Sequence, residues 1–300
     1  MSSVTEIRHV GLCVPDLEAE RSFYKEKWGL REVAEQDGLV YFRAVGSSEP
    51  FALRLRGGTD TRVDVIELAT DSQASLQALY ERVQAAGLKV IFAPRPLQGP
   101  GGGVGFRFFS PDGLPFGVSH GVQQEELTTP PENESLPLRI SHVVLHSPDV
   151  QAAARFFVDV LGFRVSDWLG DFMCFLRCNA WHHRIAVLPG PPCLNHMAWD
   201  MADIDAMMRG VALLRDKGVQ VRWGPGRHKA GNNTFSYFVT PNGFATEYTA
   251  ELELVDEASW QATVYEPHPS LMDVWGIGVG GPYAMPRPEA DAGLFQPAQV

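Results

Sequence analysis

Two histidines and one glutamate in the second half of the chain, His142, His196 and Glu247, have side chains that bind divalent metals. Each lies in a local pattern that predicts a β-strand, so three separate strands would have to bring them together. Two neutral imidazoles and one carboxylate on one face of a metal leave the opposite positions open, as non-haem Fe(II) needs to bind a substrate and O₂ together. The alternative reading of any one histidine is an ordinary core or surface residue.

The chain contains two copies of one module, which is the first feature that could position these residues. Residues 7–31 and 140–164 match at a constant offset of 133. The matched pairs include Ile7/Ile140, His9/His142, Pro15/Pro148, Asp16/Asp149, Phe23/Phe156 and Gly29/Gly162. A second match, SPDG at 110–113 with TPNG at 240–243, has an offset of 130.

Histidine is distributed unequally between the copies. The first copy has His9 and His120, and the second has His142, His146, His182, His183, His196 and His228. At the local offsets Val65 is opposite His196, Gly117 is opposite Glu247 and Arg107 is opposite Tyr237. Residues that carry the fold should recur in both copies, so residues found in one copy only are candidates for function. His9 matches His142 but lacks the other ligand-type residues, and we expect it to be structural.

Within each copy the periodicity predicts a βαβββ unit that occurs twice, and hence an α+β fold of tandem modules in two domains. For the second copy we predict strands at about 140–146, 183–188 and 194–199, two short strands within 163–178, helices at about 150–162 and 204–217, and a hairpin of 235–239 with 244–249. Asp149 is a plausible N-cap of the first of these helices.

Residues 5–252 resemble the type I extradiol ring-cleavage dioxygenases of the vicinal oxygen chelate superfamily, of the catechol 2,3-dioxygenase and dihydroxybiphenyl dioxygenase kind. The most specific stretch is Gly226-Arg227-His228 followed by Tyr237, Thr240-Pro241, Gly243 and Glu247. It is similar to the signature G-x-H…Y-x₂-[T/D]-P-x-G-x₃-E of that family. Ser236 departs from the pattern, because the residue before the tyrosine is usually apolar.

The resemblance implies a site and a reaction. His142, His196 and Glu247 would be the ligands of Fe(II), with Mn(II) as the alternative metal. His183 would face the O₂ site while His182 points away, and His228 and Tyr237 would hydrogen-bond the substrate. The implied reaction is extradiol cleavage of a catechol-type aromatic vicinal diol with incorporation of both atoms of O₂, in a homo-oligomer.

Four segments follow from these patterns. We predict a non-catalytic N-terminal domain at 1–121, a linker at 122–138, a catalytic metal-binding domain at 139–254 and a tail at 255–300. The linker is acidic, polar and contains proline. The tail is rich in Pro and Gly with scattered aromatic residues, so we expect it to be partly a lid and partly disordered, above all in its last fifteen residues.

Composition excludes several classes of protein. The net charge is −11, from 25 Lys and Arg against 36 Asp and Glu, which argues against nucleic acid as a partner. No apolar run approaches the roughly 20 residues of a spanning helix, and MSSVTEIRHV is no signal peptide. Four irregularly spaced cysteines indicate free thiols in a reducing compartment. We therefore expect a cytoplasmic enzyme without membrane partners.

Three other patterns do not indicate a site. The glycine-rich segment at 99–105 lacks the Lys-Ser/Thr of a phosphate-binding loop and precedes a strand. The spacing of Cys174, Cys178 and Cys193 does not suit zinc. His146 shares a face with His142 but lies about 13 Å along the strand, too far to bind the same metal.

The sequence leaves alternatives open for the substrate and for the class of function. Few Lys or Arg residues occur after residue 227, which favours a neutral or bulky aromatic over a carboxylated catechol. One alternative is a ring-cleaving enzyme for a hydroquinone or an aminophenol. The other is a metal-free binding module of the bleomycin-resistance type, which would need none of the three ligands.

Overall fold

The computed structural model describes residues 4–128 and 134–286, in which the two copies form two β-sheets. The strands of the first copy are β1 (Val4–Val14), β2 (Arg31–Gln36), β3 (Leu39–Arg43), β4 (Leu53–Gly57), β5 (Arg62–Thr70), β6 (Val90–Pro96), β7 (Val104–Phe109) and β8 (Pro115–His120). Its helices are α1 (Leu17–Ser22), which continues as a π-helix over Phe23–Trp28, and α2 (Gln73–Ala85).

The second copy repeats this order and adds elements from the C-terminal segment. Its strands are β9 (Arg139–Ser147), β10 (Arg164–Leu169), β11 (Met173–Arg177), β12 (Ile185–Pro189), β13 (Cys193–Asp200), β14 (Trp223–Arg227), β15 (Thr234–Val239) and β16 (Ala245–Ala250). Its helices are α3 (Val150–Asp159) and α4 (Ile204–Asp216). The C-terminal segment adds β17 (Thr263–Tyr265), α5 (Pro269–Met272), β18 (Val279–Gly280) and a 3₁₀ turn at Pro282–Ala284.

The two sheets have the same topology. The first has the order β2-β3-β4-β1-β5-β8-β7-β6, and the second contains β10-β11-β12-β9-β13-β16-β15-β14 with β17 and β18 at its two edges. In both, the first strand pairs in parallel with one neighbour and antiparallel with the other. The predicted α+β fold of tandem βαβββ modules is confirmed.

The residues that recur in both copies have structural roles. Asp16 accepts a hydrogen bond from the Ala19 amide at the start of α1, and Asp149 does the same for Ala152 at the start of α3. Such N-caps satisfy amides that have no partner inside the helix. The repeated Pro-Asp pair therefore marks the turn from the first strand into the helix of each module.

One hydrophobic core runs through both copies. The Trp28 and Tyr248 rings lie 4.0 Å apart between centroids, and the Tyr248 hydroxyl donates to the Trp28 carbonyl at 3.0 Å. On the other side of the contact, Phe116 packs edge-on against Phe157 at 5.7 Å. Burial of large aromatic side chains across the contact fixes the two sheets against each other.

One predicted strand boundary near the candidate site differs from the structure. The strand predicted to begin at His183 begins at Ile185, and His182 and His183 lie in the bend before it. The reason is that the His182 amide donates to the Glu253 carbonyl of the C-terminal segment, not to a neighbouring strand. Residues 287–300, which hold most of the stretch predicted to be disordered, lie outside the described residues. None of the helices in the described ranges is long and apolar enough to cross a bilayer.

Candidate metal centre

His142, His196 and Glu247 converge at one buried point of the second sheet. They lie on β9, β13 and β16, three adjacent strands in the sheet order. Their ligand atoms are all within 4.8 Å of one another. Glu247 Oε2 is 3.3 Å from His142 Nε2 and 3.0 Å from His196 Nε2. The structure thus brings together the three residues that the comparison of the copies singled out.

Three of the polar atoms in this cluster are buried without a hydrogen bond in the described structure. His196 Nε2 and both carboxylate oxygens of Glu247 are buried and form no hydrogen bond with any described residue, although Nε2 and Oε2 are close. Buried polar atoms are almost always hydrogen-bonded, so unsatisfied atoms here indicate a ligand that the protein is built to hold. Two imidazole nitrogens and a carboxylate are donors that suit Fe(II), Mn(II) or a similar divalent ion.

The electrostatics of the cluster also suit a metal. Burial alone would raise the pKa of Glu247, but the facing His142 and His196 outweigh it and hold that pKa below its usual range. Burial lowers the pKa of His196, and Glu247 offsets this only in part. The result is an ionised carboxylate beside a neutral imidazole, which are the protonation states that bind metals.

Asn195 and His146 orient the ring of His196. His196 Nδ1–H donates to Asn195 Oδ1 at 2.6 Å, and the Asn195 amide donates to His146 Nε2 at 2.8 Å. His146 Nδ1–H in turn donates to the carbonyl of Pro189 at 2.9 Å. This chain keeps the proton of His196 on Nδ1 and leaves Nε2 as the ligand atom. The sequence predicted for His146 only that it does not bind the metal, and Asn195 was not predicted, although its position next to His196 was a signal.

A second chain of buried polar groups supports His183. His183 Nδ1 is 3.0 Å from His182 Nδ1, and His182 Nε2–H donates to Asp167 Oδ2 at 3.0 Å. The partners of the two rings place the shared proton on His183 Nδ1, so Nε2 of His183 is the nitrogen left for a ligand. Sequence analysis missed Asp167. Its counterpart at the offset of 133 is Ala34, so the same comparison of the copies could have found it.

Tyr237 and His228 form a pair beside the candidate metal ligands. Their Oη and Nε2 atoms are 3.1 Å apart, and His228 Nδ1–H donates to the carbonyl of Met272 at 2.6 Å. Burial lowers the pKa of His228 to about 4, so its ring is neutral and accepts at Nε2. Burial and the charge of Glu247 raise the pKa of Tyr237, so the phenol keeps its proton. The single phenolic proton is therefore donated to His228 in this structure, and it becomes available to a ligand when the hydroxyl turns away from His228.

These side chains lie in the wall of one cavity, whose volume is about 840 Å³ when the open solvent at its mouth is included. The wall includes His142, His183, His196, His228 and Tyr237. The rest is largely apolar, with Val144, Leu169, Phe175, Trp223, Leu271 and Met285 among its members. Of the described residues in this wall, only Lys229 is a Lys or Arg. Such a cavity suits a flat apolar ligand with a few polar groups.

The corresponding place in the first sheet has a different set of residues. In the first sheet Val65 pairs with Gly11, and the equivalent pair in the second sheet is His196 with Val144. In the first sheet Gly117 pairs with Glu67, and the equivalent pair in the second sheet is Glu247 with Ala198. Phe51 packs on His9 at 4.3 Å between ring centroids, just as His183 packs on His142 at 4.4 Å. Across residues 4–128 and 134–286, the only three-residue group that could hold a metal is the one in the second copy.

Comparison with known proteins agrees with this geometry. Residues 6–118 and 139–248 match the Glyoxalase/Bleomycin resistance protein/Dioxygenase superfamily. Metapyrocatechase 2 of Cupriavidus necator is 27% identical over 92% of this chain and 90% of its own length. The manganese-dependent 2,3-dihydroxybiphenyl 1,2-dioxygenase of Geobacillus genomosp. 3 is 24% identical over 89% of this chain and 91% of its own.

A solved structure is more similar in sequence. The Mn(II)-bound glyoxalase from Novosphingobium aromaticivorans is 57% identical and superposes with a TM-score of 0.96 over 99% of this chain and 98% of its own. The resemblance to extradiol dioxygenases that the sequence predicts is confirmed by the curated relatives, and the prediction of a divalent Fe or Mn centre is confirmed with it. The chain belongs to the Glyoxalase/Bleomycin resistance protein/Dioxygenase superfamily.

Proposed function

We propose that this member of the superfamily is a metal-dependent extradiol dioxygenase, which cleaves the ring of a catechol-type vicinal diol and incorporates both atoms of O₂. The observation that carries the proposal is the cluster of His142, His196 and Glu247, whose two histidines lie in the wall of an apolar cavity that also holds His183 and the Tyr237 phenol. A binding module of the bleomycin-resistance type would need neither the ligand set nor these polar groups.

A divalent metal held by the three ligands would lower the pKa of the diol hydroxyls and leave open positions for the diol and O₂. His183 presents Nε2 to the cavity and can accept and return a proton there. Asp167 and His182 keep the ring of His183 in one orientation and tautomer, in the way that a buried carboxylate orients a catalytic histidine.

Tyr237 and His228 would act on the oxygen atoms of the substrate. The Tyr237 hydroxyl can donate to a substrate oxygen, and His228 Nε2, 3.1 Å away, can accept from a substrate hydroxyl or from Tyr237. The Met272 carbonyl fixes the ring of His228 from the opposite side. Both groups therefore orient the diol before it reacts, which is a main source of rate enhancement.

The apolar wall favours a neutral or bulky aromatic substrate. A carboxylated catechol would leave its carboxylate in a cavity where Lys229 is the sole described cation of the wall. Three diols test this: the protein is loaded with Fe(II) or Mn(II) without oxygen and then given O₂ with catechol, 3-phenylcatechol or a carboxylated catechol. We expect a yellow ring-fission product from the first two. A clear preference for the carboxylated diol would contradict the substrate class.

The variant Tyr237→Phe tests the role of the phenol. Loss of a positioned proton donor should lower kcat about 10²–10⁴-fold while metal content stays unchanged. Tyr80→Phe in the first copy is the matched control and should keep full activity. Equal activity of Tyr237→Phe and the parent chain would remove the phenol from the reaction.

A glyoxalase reaction is the second candidate, because the Novosphingobium structure at 57% identity carries that name. The cavity argues against glutathione conjugates, since their two carboxylates would find one lysine in the described wall. The test is the hemithioacetal of methylglyoxal and glutathione, assayed with the same metal-loaded protein. Turnover of this compound without cleavage of any diol would replace the dioxygenase proposal. Activity on a hydroquinone or aminophenol alone would instead move the proposal to the related ring-cleaving reaction.

We also propose a cytoplasmic homo-oligomer. All four cysteines are free and buried in the structure, as expected in a reducing compartment. Apolar side chains of the C-terminal segment, such as Val264, Ile277 and Val279, are exposed in the single chain and could be covered by another copy. Sedimentation analysis of the metal-loaded protein checks the oligomer, and a monomer at micromolar concentration would contradict it.

A further inference from the structure

Unsatisfied buried polar atoms gather at a second place, in the first copy. They are Arg8 Nε, His9 Nε2, Arg54 Nε, both carboxylate oxygens of Glu67, Arg107 Nε and Ser119 Oγ, none of which forms a hydrogen bond with a described residue. All six side chains line one small cavity, whose volume is about 430 Å³ when the open solvent at its mouth is included. Since buried polar atoms rarely lack partners, this concentration indicates a place built for a polar ligand.

Two glycines make room for the charged groups of this cavity. A Cβ on Gly117 would fall 2.0 Å from Glu67 Oε2, and a Cβ on Gly11 would fall 3.0 Å from Arg54 Nη2. The second copy has Glu247 and Val144 at these two positions. The first copy therefore has an open space at these positions. Its two glycines admit a carboxylate and a guanidinium, which the larger residues of the second copy would exclude.

Arg54 lacks a good counterion. Its nearest carboxylate is Asp64 at 3.8 Å, but Asp64 already forms two 2.7 Å hydrogen bonds with Arg56. Arg54 is 9% exposed, and burial together with the charge of Arg107 lowers its pKa to about 10. A buried guanidinium without a close partner costs free energy, which a bound anion would recover.

Arg107 faces the same space from β7. Its Nε is 3.6 Å from Glu67 Oε2, beyond hydrogen-bond distance, and its place in the fold is that of Tyr237 in the second copy. Arg8, by contrast, is paired with Glu49 at 2.6 Å. Arg54 and Arg107 thus lack the close carboxylate partner that Arg8 has. Pro100 and Gly102 of the glycine-rich segment form part of the rim of this cavity.

We propose that this cavity is a second ligand site, in which Arg54 and Arg107 bind a small oxyanion of the carboxylate or phosphate class. Guanidinium groups match the geometry of these anions. Glu67, His9 and Ser119 would then contact a hydroxyl or other donor of the same ligand. This site is independent of the metal centre and of the proposed ring cleavage.

Titration of the full-length, metal-free chain with inorganic phosphate and with acetate tests the site. Heat of binding and melting temperature are followed at constant ionic strength, with chloride as the reference salt. We expect saturable binding at one site per chain and a rise in melting temperature with at least one of the two anions. A larger response to phosphate than to acetate would identify a phosphoryl ligand, and the reverse a carboxylate. A response no larger than that to chloride would overturn the proposal.

Variants locate the binding. Arg54→Gln and Arg107→Gln should each weaken it about tenfold or more, since each removes a charge-assisted hydrogen bond. Arg31→Gln is the matched control, because Arg31 is an exposed arginine of the first copy that lies outside the cavity wall, and it should bind as the parent does. If Arg54→Gln does not fold, Arg107→Gln carries the test alone. Unchanged binding in Arg107→Gln, or binding lost in His196→Ala, would overturn the site.

The same experiments separate an anion site from a second metal site. Mn(II) titration of the parent chain should saturate at one ion per chain. Saturation at two ions, with the second lost in His9→Ala, would show that the first copy holds a cation and would contradict the proposal.

Discussion

In the second copy the buried carboxylate comes from Glu247 on β16, whereas in the first copy it comes from Glu67 on the neighbouring strand β5. Gly117 leaves the space of the missing glutamate, and the carboxylate of Glu67 extends into it. The shared backbone thus determines where a polar cavity lies. The residue types at a few register positions determine whether that cavity suits a metal or an anion.

The copies also differ in what surrounds the central histidine. In the second copy His142 packs on His183, which a buried histidine and aspartate hold in place, whereas in the first copy His9 packs on the ring of Phe51. A reactive site needs neighbouring groups that orient each functional side chain. Only the second copy has such groups around its histidine in the described structure.

Loss of one metal ligand should give the largest difference between the copies. Glu247→Gln should reduce Mn(II) or Fe(II) content from about one ion per chain to near zero, because a neutral amide replaces the only carboxylate ligand. His9→Ala should leave the metal content unchanged. Metal analysis after dialysis measures both, and a lower metal content in His9→Ala would break the contrast between the copies.

Loss of the group that orients a ligand should have a smaller effect. Asn195→Leu removes the acceptor for His196 Nδ1–H, so metal affinity should fall about 10–100-fold. Asn195→Asp keeps that acceptor and should stay close to the parent. Competition with a chelator gives the dissociation constants. Equal affinity in all three proteins would show that the orientation of His196 does not depend on Asn195.

The free energy of unfolding can test whether the Glu67 carboxylate fills the space beside Gly117. Gly117→Ala should lower the free energy of unfolding by about 1–3 kcal/mol, because the new methyl group overlaps Glu67. In a Glu67→Ala background the same substitution should cost much less. Denaturant unfolding of the four proteins measures the coupling, and additive effects would mean that the two positions do not share space.

The smallest effect concerns pH. Burial lowers the pKa of His9 well below its ordinary value of 6.5, whereas the pKa of the unfolded residue stays near that value. The unfolded chain therefore binds a proton first as the pH falls through 6.5, and the folded state loses up to about 1.4 kcal/mol per pH unit from this residue. His9→Gln should flatten this loss between pH 7 and 5, as measured by unfolding at several pH values.

His146 of the second copy gives the comparison for that measurement. Burial lowers its pKa too, but the Pro189 carbonyl partly opposes the shift. In the metal-free protein His146→Gln should therefore flatten the pH dependence less than His9→Gln does. The opposite order would mean that the first-copy cavity is more hydrated than its burial indicates.

The repeat made most of the fold and the ligand set predictable. Matched Pro-Asp pairs predicted the helix starts, and the comparison of the copies singled out His196 and Glu247, which have no counterpart in the first copy, together with His142. Two features were not predictable: the hydrogen bond of Asn195 to His196, and the buried carboxylate that comes from Glu67 on β5 in the first copy and from Glu247 on β16 in the second. Both depend on which strands are neighbours, and the second also depends on the space beside Gly117. The bend at His182 depends on a backbone hydrogen bond from the His182 amide to the carbonyl of Glu253, about seventy residues later in the sequence.

The hydrogen bond from His228 to the carbonyl of Met272 implies an order of assembly during synthesis. The ribosome produces His142, His196 and Glu247 before it reaches the segment that contributes Leu271, Met272 and Met285 to the cavity wall. The three strands of the candidate ligand set are therefore complete in the growing chain before that side of the cavity has any residue to form it. The cavity acquires this part of its wall only when the later segment has been made.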